Sequence, residues 1–151
     1  MIVSTEEELS KLKDIGRICA NALHAMAAAL EPGITTLELD AIGRKVLEDA
    51  GAQSAPELVY KFPGATCISV NEEVAHGIPG PRIIKAGDLV NLDVSAEKDG
   101  FFSDTGASFT VPPVKPKIER LCRDGKRALW VGLNQVKSGA PMAKIGQAVG
   151  A

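Results

Sequence analysis

One part of this sequence is written twice, and that constrains the fold more than any other feature. Shifting the chain by 106 positions superposes residues from Leu12 onward on residues from Ile118 onward without a gap. The shift pairs Leu12 with Ile118, Ile15 with Leu121, Arg17 with Arg123, Ala22 with Ala128, Leu23 with Leu129 and Leu30 with Val136. It also pairs Gly33 with Gly139 and Leu39 with Ile145. Any two amphipathic helices match at several positions. A glycine stop in register, with a second helix restarting behind it, favours a true duplication.

Each copy opens with two helices. Thr5 with Glu8, and Thr35 with Glu38, are capping-box signatures. Behind Thr5, Leu9, Leu12, Ile15, Cys19, Leu23, Met26 and Leu30 recur at helical spacing until Pro32-Gly33. Behind Thr35, Leu39, Ile42, Val46 and Leu47 predict a second helix ending at Gly51. The character then changes, and residues 66–70, 88–95 and 102–111 read as strands separated by Pro and Gly. A proline-rich connector, Val111–Pro116, leads to the second copy, where Ile118, Leu121, Ala128, Leu129, Leu133 and Val136 are again helically spaced. That copy reaches Ala151 early in its second helix, with no strands behind it. A helix pair needs a sheet to cover its apolar face. The expectation is therefore a chain shorter than its natural folding unit.

Composition removes several classes of function. The 151 residues are 45% hydrophobic and 24% charged, with a formal net charge of −2. There is no basic excess for nucleic acid and no polybasic run for an anionic membrane. Cys19, Cys67 and Cys122 are odd in number and lack a C-x-x-C pair, which suits a reducing cytosol. The start, Thr5-Glu6-Glu7-Glu8, is acidic where a signal peptide is basic. The apolar stretch 15–30 is broken by Arg17 and His24 and is too interrupted to span a bilayer. The expected location is the cytoplasm.

The strands carry the chemistry. Lys98-Asp99-Gly100 signals a tight turn, and with Asp99-Gly100 as a two-residue loop Lys98 faces Phe101, Ser95 faces Asp104 and Asp93 faces Gly106. Cross-strand partners share a face, so Asp93, Ser95 and Asp104 project together. The two aspartates are then diagonal neighbours, with Cβ atoms about 7 Å apart. A loop one residue longer would put them on opposite faces. Asp93 follows the largely apolar run Leu89-Val90-Asn91-Leu92. Carboxylates in such surroundings are costly unless compensated, and one cation compensates two of them. The alternative is a pair of solvated strand aspartates, which D-x₁₀-D spacing alone would favour. His76, before Gly77-Ile78-Pro79, sits in a rigid turn, whereas His24 is expected to be structural. Asp93, Asp104 and His76 could together form a mononuclear facial triad for a hard or borderline ion.

These residues belong to longer patterns. Cys67-Ile68-Ser69-Val70-Asn71-Glu72-Glu73-Val74-Ala75-His76-Gly77-Ile78-Pro79 resembles type I methionine aminopeptidases of the bacterial style. So do Gly87-Asp88-Leu89-Val90-Asn91-Leu92-Asp93-Val94-Ser95 and the following Asp99-Gly100 and Asp104-Thr105-Gly106. The resemblance runs from the first helix to Lys144-Ile145-Gly146. It implies an α+β pita-bread fold, with two related halves around an antiparallel sheet and a dinuclear metal centre between them. Residues 1–151 would then be a single catalytic domain incomplete at its C-terminus, with a first repeat of about 5–110 and a second beginning about 117.

The resemblance also implies roles. Asp93 would bind one metal with both oxygens, and Asp104 would bridge two. His76 would be no ligand, which displaces the facial triad; it would contact the substrate at the scissile peptide as the catalytic histidine. Phe62 and Cys67 would line the methionine pocket, joined by Val59 and Tyr60, although many relatives carry tyrosine at the position of Val59 and cysteine at that of Pro56. Ser95 would support the metal ligands from behind. The cofactors would be two divalent ions, of Co, Mn, Fe or Zn, that activate a water and polarise the scissile carbonyl. The reaction would be removal of the initiator methionine from nascent chains, met at the ribosome, by a monomer needing neither nucleic acid nor membrane. The family's further histidine and two glutamates have no match in these 151 residues, so the chain as given is expected to be inactive. Two alternatives stand beside this. One is a non-catalytic pita-bread module that binds a protein or peptide. The other is a proline-specific relative such as prolidase or aminopeptidase P, disfavoured by a first helix that begins near Thr5.

Overall fold

The computed structural model describes residues 2–150, which form two compact units, one up to Pro113 and one from Val114. The first unit runs α1 (Glu6–Ala29), α2 (Thr36–Asp49), β1 (Gln53–Ser54), α3 (Ala55–Tyr60), β2 (Cys67–Val70), β3 (Leu89–Lys98) and β4 (Phe101–Thr110). The second holds α4 (Pro116–Leu133) and α5 (Ala143–Val149).

Both capping boxes form. The Thr5 hydroxyl accepts from the Glu8 N–H at 3.1 Å, and the Glu8 carboxylate accepts from the Thr5 N–H at 3.1 Å. Thr35 and Glu38 repeat the exchange at 3.1 and 2.8 Å. Each pair satisfies amides that a helix start leaves without internal partners. The helical stripe of α1 becomes a buried face of Ile15, Ile18, Cys19, Ala22, Leu23 and Met26.

That face packs on an antiparallel sheet. β3 is its centre, with β4 along one edge and β1 and β2 in succession along the other. Val90, Leu92, Val94 and Ala96 of β3 point into the core, while Asn91, Asp93, Ser95 and Glu97 alternate with them on the opposite face. On the shared edge β2 pairs as far as Asp93 and β1 begins at Ala96, so Val94 and Ser95 have no strand partner there. The chain leaves the sheet across this gap as α3 and residues 61–66.

Strand boundaries expected from the sequence differ by one to a few residues from those observed. The helix expected after the proline-rich connector, α4, stops at Leu133, before Val136. The short α3 escapes a periodicity argument because six residues hold fewer than two helical turns. Its start was nevertheless readable: the Ser54 hydroxyl accepts from the Glu57 N–H at 3.3 Å, with Pro56 in the first turn.

Two structural features lay beyond a periodicity reading. The carboxylate of Asp40, on α2, is only 3% exposed. It accepts from the Thr66 N–H at 2.8 Å, the Thr66 hydroxyl at 2.7 Å and the Ala65 N–H at 3.3 Å. It thereby ties α2 to the loop that enters β2. The other feature concerns the helix pairs. A Cβ on Gly43 of α2 would meet Met26 Sδ at 2.6 Å on α1. In the second unit a Cβ on Gly132 of α4 would meet Val149 Cγ2 at 2.9 Å on α5. The 106-position shift pairs Met26 with Gly132 and Gly43 with Val149, so the small residue and the large one exchange helices. The turns between the helices agree as well, with φ of +105° at Gly33 and +76° at Gly139. On α4, Leu121, Leu129, Trp130 and Leu133 are exposed.

The Asp40 clamp gives a stability prediction. Asp40→Ala leaves buried donors of Ala65 and Thr66 without their acceptor, and should lower the unfolding free energy by about 3 kcal/mol. Denaturant unfolding measures it; a change within about 0.5 kcal/mol, the usual effect of a surface substitution, would contradict the clamp.

Candidate metal and substrate site

The β3–β4 turn sets the geometry of the site. Asp99 (φ +54°) and Gly100 (φ +83°) are both left-handed, as a two-residue type I′ loop requires. The register is the expected one, with Lys98 opposite Phe101, Ser95 opposite Asp104 and Asp93 opposite Gly106. Asp93, Ser95 and Asp104 therefore project from the face that turns away from α1.

They line a cleft of about 560 Å³. Its other walls come from Phe102 on β4, from Cys67 on β2, from α3 and the chain after it in the sheet-edge gap (Ala55, Pro56, Val59, Tyr60, Phe62) and from His76 in the turn beyond β2. Every residue singled out for the site from the sequence thus borders one cavity. His24 lies elsewhere, on the exposed side of α1. The wall is uneven: Cys67 is 6% exposed, whereas Val59 is 53% and Tyr60 81% exposed. Phe102 was missed. Strand alternation offered the signal, because Phe102 lies two residues from Asp104 and so shares its face.

His76 reaches the cleft through an unusual backbone. Its φ is +55°, a region that non-glycine residues seldom occupy. The next residue, Gly77, lies against the free edge of β2, and its carbonyl accepts from the Ile68 N–H at 2.9 Å. A Cβ on Gly77 would collide with the Ile68 carbonyl, so the position admits no side chain.

The electrostatics are those of an acidic pair in partly dry surroundings. The Asp93 carboxyl is pushed above its ordinary value by burial, then by the charge of Asp104, with His76 opposing. Burial, followed by the charges of Asp93, Asp104 and Asp40, pushes the Cys67 thiol up to about 11. A divalent cation would relieve the repulsion, and carboxylate oxygens are ligands that such ions accept. Among the described residues no three His, Cys, Asp or Glu side chains converge as a metal cage. The facial triad of Asp93, Asp104 and His76 is therefore not formed.

Comparison with known proteins defines the class. Residues 10–151 match the sequence profile of metallopeptidase family M24, and the chain belongs to that family. It is 53% identical over 150 residues to methionine aminopeptidase 2 of Bacillus subtilis, covering 99% of this chain and 60% of that protein. To the methionine aminopeptidase of Escherichia coli K12 it is 39% identical, covering 97% of this chain and 56% of that protein. The crystal structure of methionine aminopeptidase from Rickettsia prowazekii superposes with a TM-score of 0.92 at 33% identity, over 99% of this chain and 60% of that one. Prolidase from Pyrococcus furiosus shares the fold, with a TM-score of 0.85 at 20% identity. The fold is thus the pita-bread fold of these enzymes, and the chain spans about 60% of the length of the relatives it matches best among these. No helix among the described residues is long and apolar enough to cross a membrane.

Two measurements test the electrostatics. A carboxyl whose native pKa is raised keeps its proton in the native state after the unfolded chain has released it, so stability falls as pH rises from the unfolded to the native pKa. Metal-free protein should therefore lose stability relative to Asp93→Asn as pH rises through and above the ordinary carboxylate range. Asp104→Asn should bring the Asp93 pKa down, though not to its ordinary value, since burial remains. A carbon-detected NMR titration with no downward shift would refute the coupling. Separately, Cys67 should alkylate far more slowly than the partly exposed Cys122 at neutral pH, as peptide mapping after iodoacetamide would show.

Proposed function

We propose that this chain carries the first-half ligands and substrate pocket of a metalloaminopeptidase that removes the initiator methionine from nascent proteins. The observation that carries the reading is the meeting of two strand carboxylates, a histidine and an apolar wall on one cleft. The donor chemistry fits divalent ions: Asp93 and Asp104 would hold a pair of them, of Co, Mn, Fe or Zn, and the remaining ligands would come from outside the described residues. On this reading the 151 residues alone are inactive. When bound, the ions supply Lewis acidity that activates water and polarises the scissile carbonyl.

The chain's own residues do the rest. The methionine side chain enters between Phe62, Cys67, Val59 and Tyr60, where burial of apolar surface holds it. His76, which lines the same cleft, donates a hydrogen bond to the peptide group as charge develops there. Ser95, the cross-strand partner of Asp104, steadies that carboxylate. The substrates would be N-terminal Met-peptides met at the ribosome in the cytoplasm, and the working form would be a monomer. A binding module without catalysis would have no use for two carboxylates held in repulsion beside a histidine. A proline-specific enzyme rests on likeness of fold alone.

The test is hydrolysis of a methionyl peptide by the metal-loaded polypeptide that contains this chain. His76→Ala should lower kcat by about 10²- to 10³-fold with its metal content unchanged, as loss of a transition-state hydrogen bond does. Asp104→Asn should lose both metal and turnover. Equal turnover after exhaustive chelation would overturn the proposal.

A further inference from the structure

We infer that Ser69 is a positioning residue for His76, acting through the hydrogen bond that its hydroxyl accepts from the turn that carries the histidine. The inference rests on the aminopeptidase reading for the role of His76, but its structural part does not.

Ser69 lies in β2 and is 3% exposed. Its neighbour across the sheet is Asn91, two residues from Asp93. The Ser69 hydroxyl accepts from the Gly77 N–H at 3.0 Å. The Gly77 carbonyl is held at the same time by the Ile68 N–H at 2.9 Å. One residue of the turn is therefore gripped at both its donor and its acceptor by two consecutive residues of β2. The grip is close enough to exclude any side chain at Gly77.

His76 stands immediately before this grip with φ +55°. A left-handed residue other than glycine persists only where its surroundings hold it. Unfastened, the turn would relax toward commoner backbone angles and carry the imidazole away from Asp93 and Asp104. The Gly77–Ile68 pair is main chain to main chain and survives any substitution of Ser69. The hydroxyl is the part that chemistry can remove. A further clamp fixes the base of the same loop: the Glu73 carboxylate accepts from the Val70 N–H at 2.8 Å and pairs with Arg82 at 2.6 Å. That clamp joins residues on either side of His76, and Thr36 holds Gly80 farther along, so Ser69 is the side chain that bonds the residue next to the histidine.

The experiment compares wild type, Ser69→Ala, Ser69→Thr and His76→Ala in the metal-loaded polypeptide that contains this chain. Ser69→Ala should lower kcat by about 10- to 100-fold with KM within about 2-fold, because a misplaced group fails in the transition state before it fails in binding. Ser69→Thr, which keeps a hydroxyl, should recover most of the loss. Amide exchange should show Gly77 protected in wild type and Ser69→Thr, and exposed in Ser69→Ala, with exchange in the core strands unchanged. A Ser69→Ala protein with wild-type kcat and a protected Gly77 amide would overturn the inference. So would a kcat loss that Ser69→Thr fails to recover while its Gly77 stays protected. If wild type and His76→Ala hydrolyse the peptide equally, the aminopeptidase role of His76 is what fails. The clamp is then decided by Gly77 exchange and by whether the His76 ring resonances shift in Ser69→Ala.

Discussion

A two-residue loop governs this structure. Asp99 and Gly100 both take left-handed angles, and that choice sets which residues of β3 and β4 face each other. Because side chains alternate at every step, a slip of one residue would send Asp104 into the core and bring Ser103 to the cleft. The loop lies far along the hairpin from Asp93, yet it decides whether two carboxylates meet. The apolar half of the hairpin reinforces it: Val90, Leu92, Val94 and Ala96 fit beneath α1 in one register only.

The cost of that meeting is electrostatic. Two acidic groups share a partly dry face, and the molecule answers with a carboxyl held above its ordinary value rather than with an internal cation. Several basic groups of the same unit are engaged with other carboxylates. Arg44 pairs with Glu57 at 2.5 Å, Arg82 with Glu73 at 2.6 Å and Lys98 with Asp14 at 3.1 Å. Among the described ion pairs none reaches Asp93 or Asp104, which leaves the pair open to a cation from solution, at the expense of stability while none is bound.

The sequence revealed local features well and tertiary ones poorly. The hairpin register followed from one turn dipeptide, and both helix starts from four-residue boxes, because each is decided by neighbours in the chain. Asp40 could not be read this way. Its partners, Ala65 and Thr66, lie more than twenty residues on, and an acidic residue on an amphipathic helix looks solvated until the fold buries it. The cleft was half legible: Asp93, Ser95 and Asp104 came from alternation, while Val59, Tyr60, Phe62 and Cys67 came from resemblance. The position of His76 had no local signal beyond Gly77-Ile78-Pro79, since Ser69 and Ile68 hold it from another strand. Phe102 needed only the alternation already applied to Asp104.

The exchange between the two helix pairs has a consequence for how such a chain can change. At one crossing methionine on the first helix fills the space above glycine on the second; at its counterpart glycine lies on the first and valine on the second. Scored position by position, these are two mismatches. Scored as occupied volume, they are one solution reached from either side. Substitutions at such a crossing are therefore coupled: a gain of bulk on one helix permits or demands a loss on the other. Volume at such a crossing can stay constant while the residues that supply it change places.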